Sequence, residues 1–486
     1  MPRSTERLFV FTTLSVPIVL AAIAITLGTV KSIHAPWTEA VPQGVYVVPT
    51  AMMQEAFPCN AIDLAEPFGE LNYLDAVSFF DAIDTFNDIA DVAEPFGVLD
   101  DADIFAFVGA VSEGCPPAPT LPDVPYAYAN VELPAHFLIN GFPPQMGFQS
   151  AAIDHDNTPA DNPTTDAGAT LGRVLFYDVQ LSANGTRSCA SCHVQSNGFS
   201  DVATLSVGFD GGETGRHSMS LANARFHAAG RFFWDERAGT LEEQVLQPFQ
   251  DPVEMGLTLD QLVELVESQP YYPELFADAF GNDSVTADRI SRALAQFVRS
   301  MVSFTSRYDE GRAAVTSPLD DFPNFTAQEN QGKRIFMGAG GRQPFSCAQC
   351  HSTEAFINVQ SPTPAVTSAL NIGLDAVSTG DVGVASTSGR VQDTGKFKVP
   401  SLRNIGVGAP YMHDGRFATL EEVVNHYATG IQNHPQLAPQ LRNPGTGQPH
   451  RLNLNPNQRA ALVAFLETLD DDAFMTDVKF SDPFER

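Results

Sequence analysis

The stretch 185–201, GTRSCASCHVQSNGFSD, contains the spacing Cys-x-x-Cys-His, and the stretch 344–356, PFSCAQCHSTEAF, contains it again. Two thiols three positions apart can both form thioethers with the vinyl groups of one haem, while the adjacent histidine binds the iron. The sequence therefore predicts two covalently attached c-type haems. The residues predicted to hold them are Cys189, Cys192 and His193 for the first haem, and Cys347, Cys350 and His351 for the second.

The same cysteine spacing also occurs in zinc half-sites and in thioredoxin-like redox pairs. A zinc site built from two such halves usually has them much closer together in the chain than these two motifs are. Haem attachment is therefore the preferred interpretation of both motifs.

The composition is that of a globular protein of two to four domains, with 486 residues of which 43% are hydrophobic. Acidic side chains outnumber basic ones 58 to 27, which gives a formal net charge of -31. This charge repels nucleic acids and anionic lipid headgroups, so we predict no nucleic-acid partner. The negative charge has two further interpretations, between which the sequence does not decide. It could attract a positively charged protein partner, or it could adapt the surface to a salty medium.

The N-terminus has Arg3 and Arg7 before an uncharged run from Leu8 to Val30, which as a helix would rise about 34 Å. We predict that residues 1–35 are a membrane anchor or a signal peptide. The anchor is preferred because Ala35, the best cleavage position, is followed by Pro36. In either case the remainder is exported to the periplasm or the cell exterior, with membrane contact only through an uncleaved helix.

Residues 59–116 form a separate module that contains an internal duplication, with repeats beginning at Asp63 and Asp91. Cys59 and Cys115 bracket it and in an exported protein most simply form a disulfide. Each repeat reads as an acidic, calcium-type loop leading into a helix. The candidate calcium ligands are Asp63, Glu66, Asp75, Asp91, Glu94 and Asp103.

This pair of loops resembles a dockerin-type module, which implies a docking partner. It departs from that pattern by one extra residue per loop and by Ala and Pro where ligands are expected. A plain helical pair with solvated acidic turns therefore stays open as the alternative.

After a proline-rich linker at 117–135 the sequence predicts a mainly α fold with long loops. We divide it into two cytochrome c-like haem domains packed together, at 136–320 and 321–486. Helix starts are indicated by Thr240, Thr258, Thr326 and Thr419, each followed three residues later by Glu or Gln. The stretch 286–301 puts Ile290, Leu294, Phe297, Val298 and Met301 on one apolar face.

The first iron has no nearby second ligand, because no Met, His, Lys or Cys lies between His193 and Arg216. An open histidine-ligated haem can bind peroxide, and splitting the O–O bond needs an acid-base group and a polar donor. Glu254 and Gln244 are the candidates. A surface or turn-capping role for Glu254 and a helix-closing role for Gln244 are the alternatives.

The second iron needs a sixth ligand to work as an electron carrier. The downstream candidates are Met412, His413, His426 and Tyr427. Tyr427 lies on the apolar stripe of the helix that Thr419 begins, where a tyrosine that serves only for core packing is the alternative.

Several motifs in order, among them RFFWDER at 231–237, DPVEMG at 251–256 and the stretch 410–427, resemble those of the bacterial dihaem cytochrome c peroxidases and their MauG-like relatives. The resemblance runs from about residue 130 to the C-terminus. It implies that Glu254 is the acid-base residue, that Gln244 lines the same pocket and that Trp234 relays electrons between the haems. Phe233 and Pro248 would form the apolar walls of that pocket.

The resemblance also bears on the second iron. Tyr427 falls where the peroxidases have a methionine ligand and MauG-like members a tyrosine, and Met412 is a rival ligand. A calcium ion between the haems is implied as well, with carbonyls from Gly408 and Pro410, but His217 stands where the family has Asn. A hard cation prefers oxygen, so this departure puts the calcium site in question.

Together these features predict a peroxidase that reduces hydrogen peroxide with electrons from a small c-type cytochrome or copper protein. The alternatives are a MauG-like oxidase acting on a protein or organic substrate, and a non-catalytic electron-transfer or scaffold protein.

Overall fold

The computed structural model describes residues 118–139, 150–227, 231–339, 344–358 and 367–484. The N-terminal hydrophobic run, the duplicated module and its two cysteines lie outside these residues, so the predictions made for them stay predictions. Within these ranges no helix is both long and apolar enough to cross a bilayer.

The described chain is mainly helical, as predicted, and its extended segments form only isolated β-bridges. Helices range from single turns to the 14 residues of Ala287–Ser300. In chain order they are α1 Ala135–Leu138, α2 Asp166–Tyr177, α3 Cys189–Cys192, α4 Leu241–Gln244, α5 Gln247–Gln250, α6 Leu259–Ser268, α7 Tyr272–Phe280, α8 Ala287–Ser300, α9 Arg307–Ala313, α10 Ala327–Met337, α11 Ala385–Ser388, α12 Leu420–Asn425, α13 Pro456–Glu467 and α14 Asp472–Thr476.

The four predicted helix starts are confirmed. The hydroxyls of Thr240, Thr258, Thr326 and Thr419 each accept a hydrogen bond from the backbone N–H three residues later. Each bond satisfies one of the otherwise unpaired N–H groups of the first turn. These local bonds explain why α4, α6, α10 and α12 begin where the sequence indicates.

Two helix pairs form the framework of the two predicted haem domains, the first half (136–320) and the second half (321–486). In the first, α2 precedes the first Cys-x-x-Cys-His motif and packs against α8; in the second, α10 precedes the second motif and packs against α13. Glycine lies at both crossings. A Cβ on Gly172 would lie 2.1 Å from the Ala293 carbonyl oxygen, and a Cβ on Gly332 would lie 1.8 Å from that of Ala461. The same arrangement is therefore built twice.

Two apolar cores surround these pairs. The predicted apolar face of α8 is confirmed, since Ile290, Leu294, Phe297 and Val298 are all buried in the first core. Phe474 and Phe480, near the C-terminus, also belong to the first core and not to the second. The final segment of the chain therefore returns to the first half, although the sequence division placed it with the second.

Replacing Gly332 with Ala should destabilise the protein although alanine has the higher helix propensity, because the added methyl would overlap the α13 backbone. We expect the free energy of unfolding, measured by urea denaturation, to fall by about 1–3 kcal/mol. Gly445→Ala is the control, because its Cβ would meet nothing closer than the Asn443 Oδ1 at 3.4 Å. Equal stability of the two variants would contradict a close helix crossing at Gly332.

Candidate functional site

The first Cys-x-x-Cys-His motif opens onto a cavity of about 620 Å³. Cys189 and Cys192 lie at the two ends of the short helix α3, and His193 follows directly. The Nδ1 of His193 lies 3.0 Å from the Phe199 carbonyl oxygen, to which it donates. That bond fixes the tautomer and leaves Nε2 as the nitrogen available to a metal.

The donor set of this cavity fits a c-type haem. Both thiols are free, and burial raises the pKa of Cys189 to about 12 and that of Cys192 to about 11. The cavity volume falls within the range of roughly 300–1,000 Å³ that is usual for cofactor sites. Two neutral thiols and a neutral imidazole therefore face one apolar-walled space, as thioether attachment and iron ligation require.

The second motif repeats this arrangement. Cys347 and Cys350 are free thiols, and the Nδ1 of His351 lies 3.2 Å from the Pro400 carbonyl oxygen and 3.4 Å from that of Phe356. Burial lowers the pKa of His351 to about 4, so the imidazole is neutral at pH 7. Neutral imidazole is the form that binds iron.

A strained phenylalanine places its carbonyl near the histidine in both motifs, as the acceptor in the first and as the longer of two contacts in the second. Phe199 has φ +60° and Phe356 has φ +53°, both in the left-handed region that non-glycine residues rarely adopt. Such a conformation costs on the order of 1–3 kcal/mol and persists only where the surroundings impose it. Both phenylalanines are completely buried, and packing holds each carbonyl toward its histidine.

The structure brings Glu254 to the same cavity, in the loop after α5. Asp251 shapes this loop, since its Oδ1 accepts hydrogen bonds from the backbone N–H groups of Val253 at 2.8 Å and Glu254 at 3.2 Å. Burial raises the pKa of Glu254 to about 7, and Asp251 acts in the same direction while Arg237 opposes it. Near neutral pH this carboxyl can therefore both accept and release a proton.

The other predicted pocket residues, Gln244, Pro248 and Phe233, also line the cavity. Gln244 is the last residue of α4 and Pro248 lies in the first turn of α5. Phe233 has φ +65°, and the Arg237 guanidinium lies 3.5 Å from its ring centroid. The five predicted residues around the first iron position, counting His193 and Glu254, thus share one space.

Trp234 lies at the boundary between this cavity and the second half of the chain. Its Nε1 donates to the His217 carbonyl oxygen at 2.8 Å, and its own carbonyl accepts from the Lys398 N–H at 2.8 Å. Its ring lies 6.4 Å from the His413 ring, which stacks on Phe397 at 3.6 Å. The indole is therefore held by His217 of the first half and His413 of the second, while Lys398 of the second half fixes the Trp234 backbone.

Tyr427 lies beside the second motif. The helix begun by Thr419 continues from α12 into a π-turn, His426–Gly430, and wider turns of this kind are frequent at functional sites. Burial raises the pKa of Tyr427, and the thiols of Cys350 and Cys347 are close enough to act in the same direction.

The other candidate ligands of the second iron are engaged differently. His426 uses its Nε2 in a 3.0 Å contact with the Ile372 carbonyl oxygen, and His413 is stacked on Phe397. Met412 packs at the margin of the second core and has φ +79°. Among the described residues, Tyr427 and Met412 are thus the two candidates whose side chains neither form a hydrogen bond nor stack face to face on another ring.

The calcium predicted between the haems gains no support. The Nδ1 of His217 lies 3.1 and 3.2 Å from the carbonyl oxygens of Ala203 and Thr204, and its Nε2 lies 3.2 Å from the Ser200 Oγ. The ring is therefore directed into the 200–204 loop and adds no oxygen ligand to the Gly408 and Pro410 carbonyls. In the part of the chain that the structure describes, no group of three or more His, Cys, Asp or Glu side chains could hold a metal ion.

Sequence reasoning missed three buried polar residues near the first cavity. Lys398 and His227 line it, and no spacing relative to the cysteine motifs indicates them. Glu236 occupies a backbone position with φ +55°, and its carboxylate accepts hydrogen bonds from the hydroxyls of Thr367 and Ser368. Glu236 lies within the RFFWDER motif, and the left-handed backbone it adopts is one that glycine takes without strain.

Comparison with known proteins gives the same family. Residues 166–314 match the sequence model described as di-haem cytochrome c peroxidase. The methylamine utilization protein MauG of Methylorubrum extorquens is 35% identical over 312 residues, 64% of this chain and 80% of that protein. Cytochrome c551 peroxidase of Nitrosomonas europaea is 33% identical over 330 residues, 67% of this chain and 88% of that protein.

Solved structures agree. A MauG-like protein associated with microbial copper homeostasis is 31% identical, with a TM-score of 0.57 over 68% of this chain and 96% of that one. The diheme peroxidase BthA of Burkholderia thailandensis E264, at 23% identity and a TM-score of 0.50 over 67% of this chain and 91% of that one, shares the fold. This chain therefore belongs to the family of di-haem cytochrome c peroxidases and MauG-like proteins, and is a peroxide-using oxidoreductase.

Proposed function

We propose that this protein reduces hydrogen peroxide to water at the first haem, with electrons supplied through the second. The observation that carries the proposal is the position of Glu254, whose carboxyl has a pKa near 7 and lines the same cavity as His193. A haem held by Cys189, Cys192 and His193 would supply the redox chemistry that cleaves the O–O bond.

The residues of the cavity provide the proton chemistry. As a carboxylate, Glu254 accepts a proton from one peroxide oxygen and returns it to the other, so that the leaving oxygen departs as water. The Gln244 amide donates a hydrogen bond that orients the peroxide, and Phe233 and Pro248 limit the entry of bulk water. Two electrons and two further protons complete the conversion of one peroxide to two waters.

Electrons reach the first site through Trp234. Its ring lies at the cavity wall, and backbone atoms of His217 and Lys398 fix its position. The second haem would be held by Cys347, Cys350 and His351, with Tyr427 as the sixth ligand. A small c-type cytochrome or copper protein is the proposed electron donor, in keeping with a haem protein matured outside the cytoplasm.

A second candidate function is oxidation of a protein or organic substrate. The similarity to relatives named for methylamine utilization keeps it open beside the peroxidase. Tyr427 favours it, because an oxygen ligand stabilises the higher iron oxidation states more than a thioether does. Steady turnover of peroxide with a reduced c-type cytochrome supports the peroxidase; peroxide-dependent modification of a bound substrate without that turnover supports the oxidase.

Replacing Glu254 with Gln should slow the reaction with hydrogen peroxide by about two to four orders of magnitude, as expected for loss of acid-base catalysis. Stopped-flow absorbance of the purified holoprotein measures the rate. In the unmodified protein the rate should rise as the pH passes through about 7, because only the carboxylate form accepts the proton, and Glu254→Gln should lose this step.

Glu264→Gln is the matched control, because Glu264 is exposed on α6. Peroxide kinetics of Glu254→Gln that equal those of the control would refute the acid-base role.

Replacing Tyr427 with Met should raise the midpoint potential of the second haem, because thioether sulfur favours reduced iron more than phenolate oxygen does. Spectroelectrochemistry measures the potential, and electron paramagnetic resonance reports the ligand change. Met412→Leu should leave both unchanged. The reverse pattern, with Met412→Leu altering the low-spin signal and Tyr427→Met silent, would assign the ligand to Met412.

Removing calcium from the purified protein with EGTA should leave its haem spectra and peroxide turnover unchanged, because His217 directs its ring into the 200–204 loop. Optical and electron paramagnetic resonance spectra before and after chelation provide the test. A loss of turnover that added Ca²⁺ restores would show that a functional calcium site exists despite His217.

A further inference from the structure

Lys398 is a buried cation in the first cavity, and it forms no ion pair with any carboxylate among the described residues. Lys398 is 8% exposed. Its Nζ lies 3.5 Å from the Met219 Sδ, which is a weak hydrogen-bond acceptor. Among the described residues no carboxylate lies within ion-pair distance of this ammonium. Burial lowers the pKa of Lys398 to about 8, with the charge of Glu236 opposing the fall.

His227 lies near Lys398, and among the described residues its ring nitrogens have no hydrogen bond of normal geometry. It is 1% exposed, and in the described structure neither ring nitrogen meets the geometry of a hydrogen bond. Burial lowers its pKa well below the ordinary value, the Lys398 charge acts in the same direction, and the Arg231 backbone acts weakly against both. A buried imidazole without a partner is costly unless a ligand completes it.

The remaining cations of the cavity wall are already engaged. Arg216 is paired with Asp235 at 2.8 Å and with Asp381 at 2.7 Å, and Arg237 is paired with Asp235 at 3.0 Å. Arg187 donates to the Gly208 carbonyl oxygen at 3.2 Å and is close to Cys192. Among the described cations that line this cavity, Arg187 and Lys398 are therefore the two without a carboxylate partner, and Lys398 is the one that also lacks an oxygen acceptor.

A haem attached through its vinyl groups carries its two propionates on the opposite edge of the ring. With the thioethers at Cys189 and Cys192, those carboxylates must be accommodated in the part of the cavity away from α3. We propose that Lys398 and His227 form a carboxylate-binding subsite for a propionate of the first haem. The subsite requires a haem at the first motif and is independent of peroxide reduction.

The subsite links the cofactor to the electron relay. The backbone N–H of Lys398 donates to the Trp234 carbonyl oxygen, while its side chain reaches into the first cavity. Lys398 comes from the second half of the sequence, so one residue of that half would contact both the edge of the first haem and the backbone of the tryptophan. It is a positioning residue that also sets the charge beside the first iron.

The test is the midpoint potential of the first haem in the purified full-length holoprotein. A buried cation stabilises reduced iron, so Lys398→Gln should lower this potential by about 59 mV, a tenfold change in the one-electron equilibrium constant. The potential of the second haem should not change, and Lys398→Arg should restore the first. His227→Leu should shift it in the same direction by less, because a neutral imidazole contributes only a hydrogen bond.

Lys396→Gln is the matched control, because Lys396 is paired with Asp393 and does not line the cavity. A first-haem potential in Lys398→Gln equal to that of the control would overturn the proposal. A variant that has failed to fold is identified by its haem content, measured as the pyridine haemochrome, and by circular dichroism. If Lys398→Gln fails to fold, the first-haem potentials of Lys398→Met and His227→Leu are compared with that of Lys396→Gln instead.

The carboxylate could instead come from a small free acid, and titration with acetate distinguishes the two sources. A subsite filled by a propionate gives a potential that is independent of acetate in the unmodified protein. A potential that changes with acetate in the unmodified protein, but not in Lys398→Gln, would show that the subsite binds a free carboxylate and would overturn the propionate assignment.

Discussion

The hydrogen bond from His193 Nδ1 to the Phe199 carbonyl oxygen is the contact on which the first site depends. It directs one ring nitrogen into protein and leaves the other to the cavity, so the position of the iron follows from it. The bond is available only because Phe199 is held in a left-handed conformation by complete burial. At the second site the His351 Nδ1 lies 3.2 Å from the Pro400 carbonyl oxygen and 3.4 Å from that of Phe356, which has the same left-handed conformation as Phe199. This similarity extends the repetition already present in the two glycine-centred helix crossings.

Identical attachment motifs nevertheless have different surroundings. The first opens onto a cavity whose buried carboxyl, Glu254, has a pKa near physiological pH. The second lies beside Tyr427, on a π-turn within an apolar core. An acid-base residue is useful where peroxide enters, and a closed coordination sphere is useful where electrons only pass. The proposed division of labour between the two haems therefore depends on the residues that the fold adds to each motif.

Where the two halves meet, Trp234 is held by several hydrogen bonds and is followed closely by a residue with a left-handed backbone. Its indole and its backbone are both held by hydrogen bonds, and the adjacent Glu236 adopts a conformation that suits glycine. The carboxylate of Glu236 offsets that strain through bonds to Thr367 and Ser368 of the second half. The region through which electrons are proposed to pass is thus fixed by contacts from both halves of the chain.

The sequence by itself determined the threonine-capped helix starts and the apolar face of α8, and it predicted the cysteines and histidines for haem attachment. These features depend on covalent chemistry or on residues within a few turns of one another, which spacing alone can reveal. Family motifs added Glu254, Gln244 and Trp234, whose placement at one cavity the tertiary structure then decided.

Only the tertiary structure decided that Lys398 and His227 face the first cavity, that the His217 ring is directed into the 200–204 loop, and that Phe474 and Phe480 belong to the first core. The raised pKa of Glu254 was likewise decided only by the tertiary structure. Each of these depends on burial and on distances between residues far apart in the chain. Neither quantity is encoded in local spacing, because both arise only when separate elements pack together.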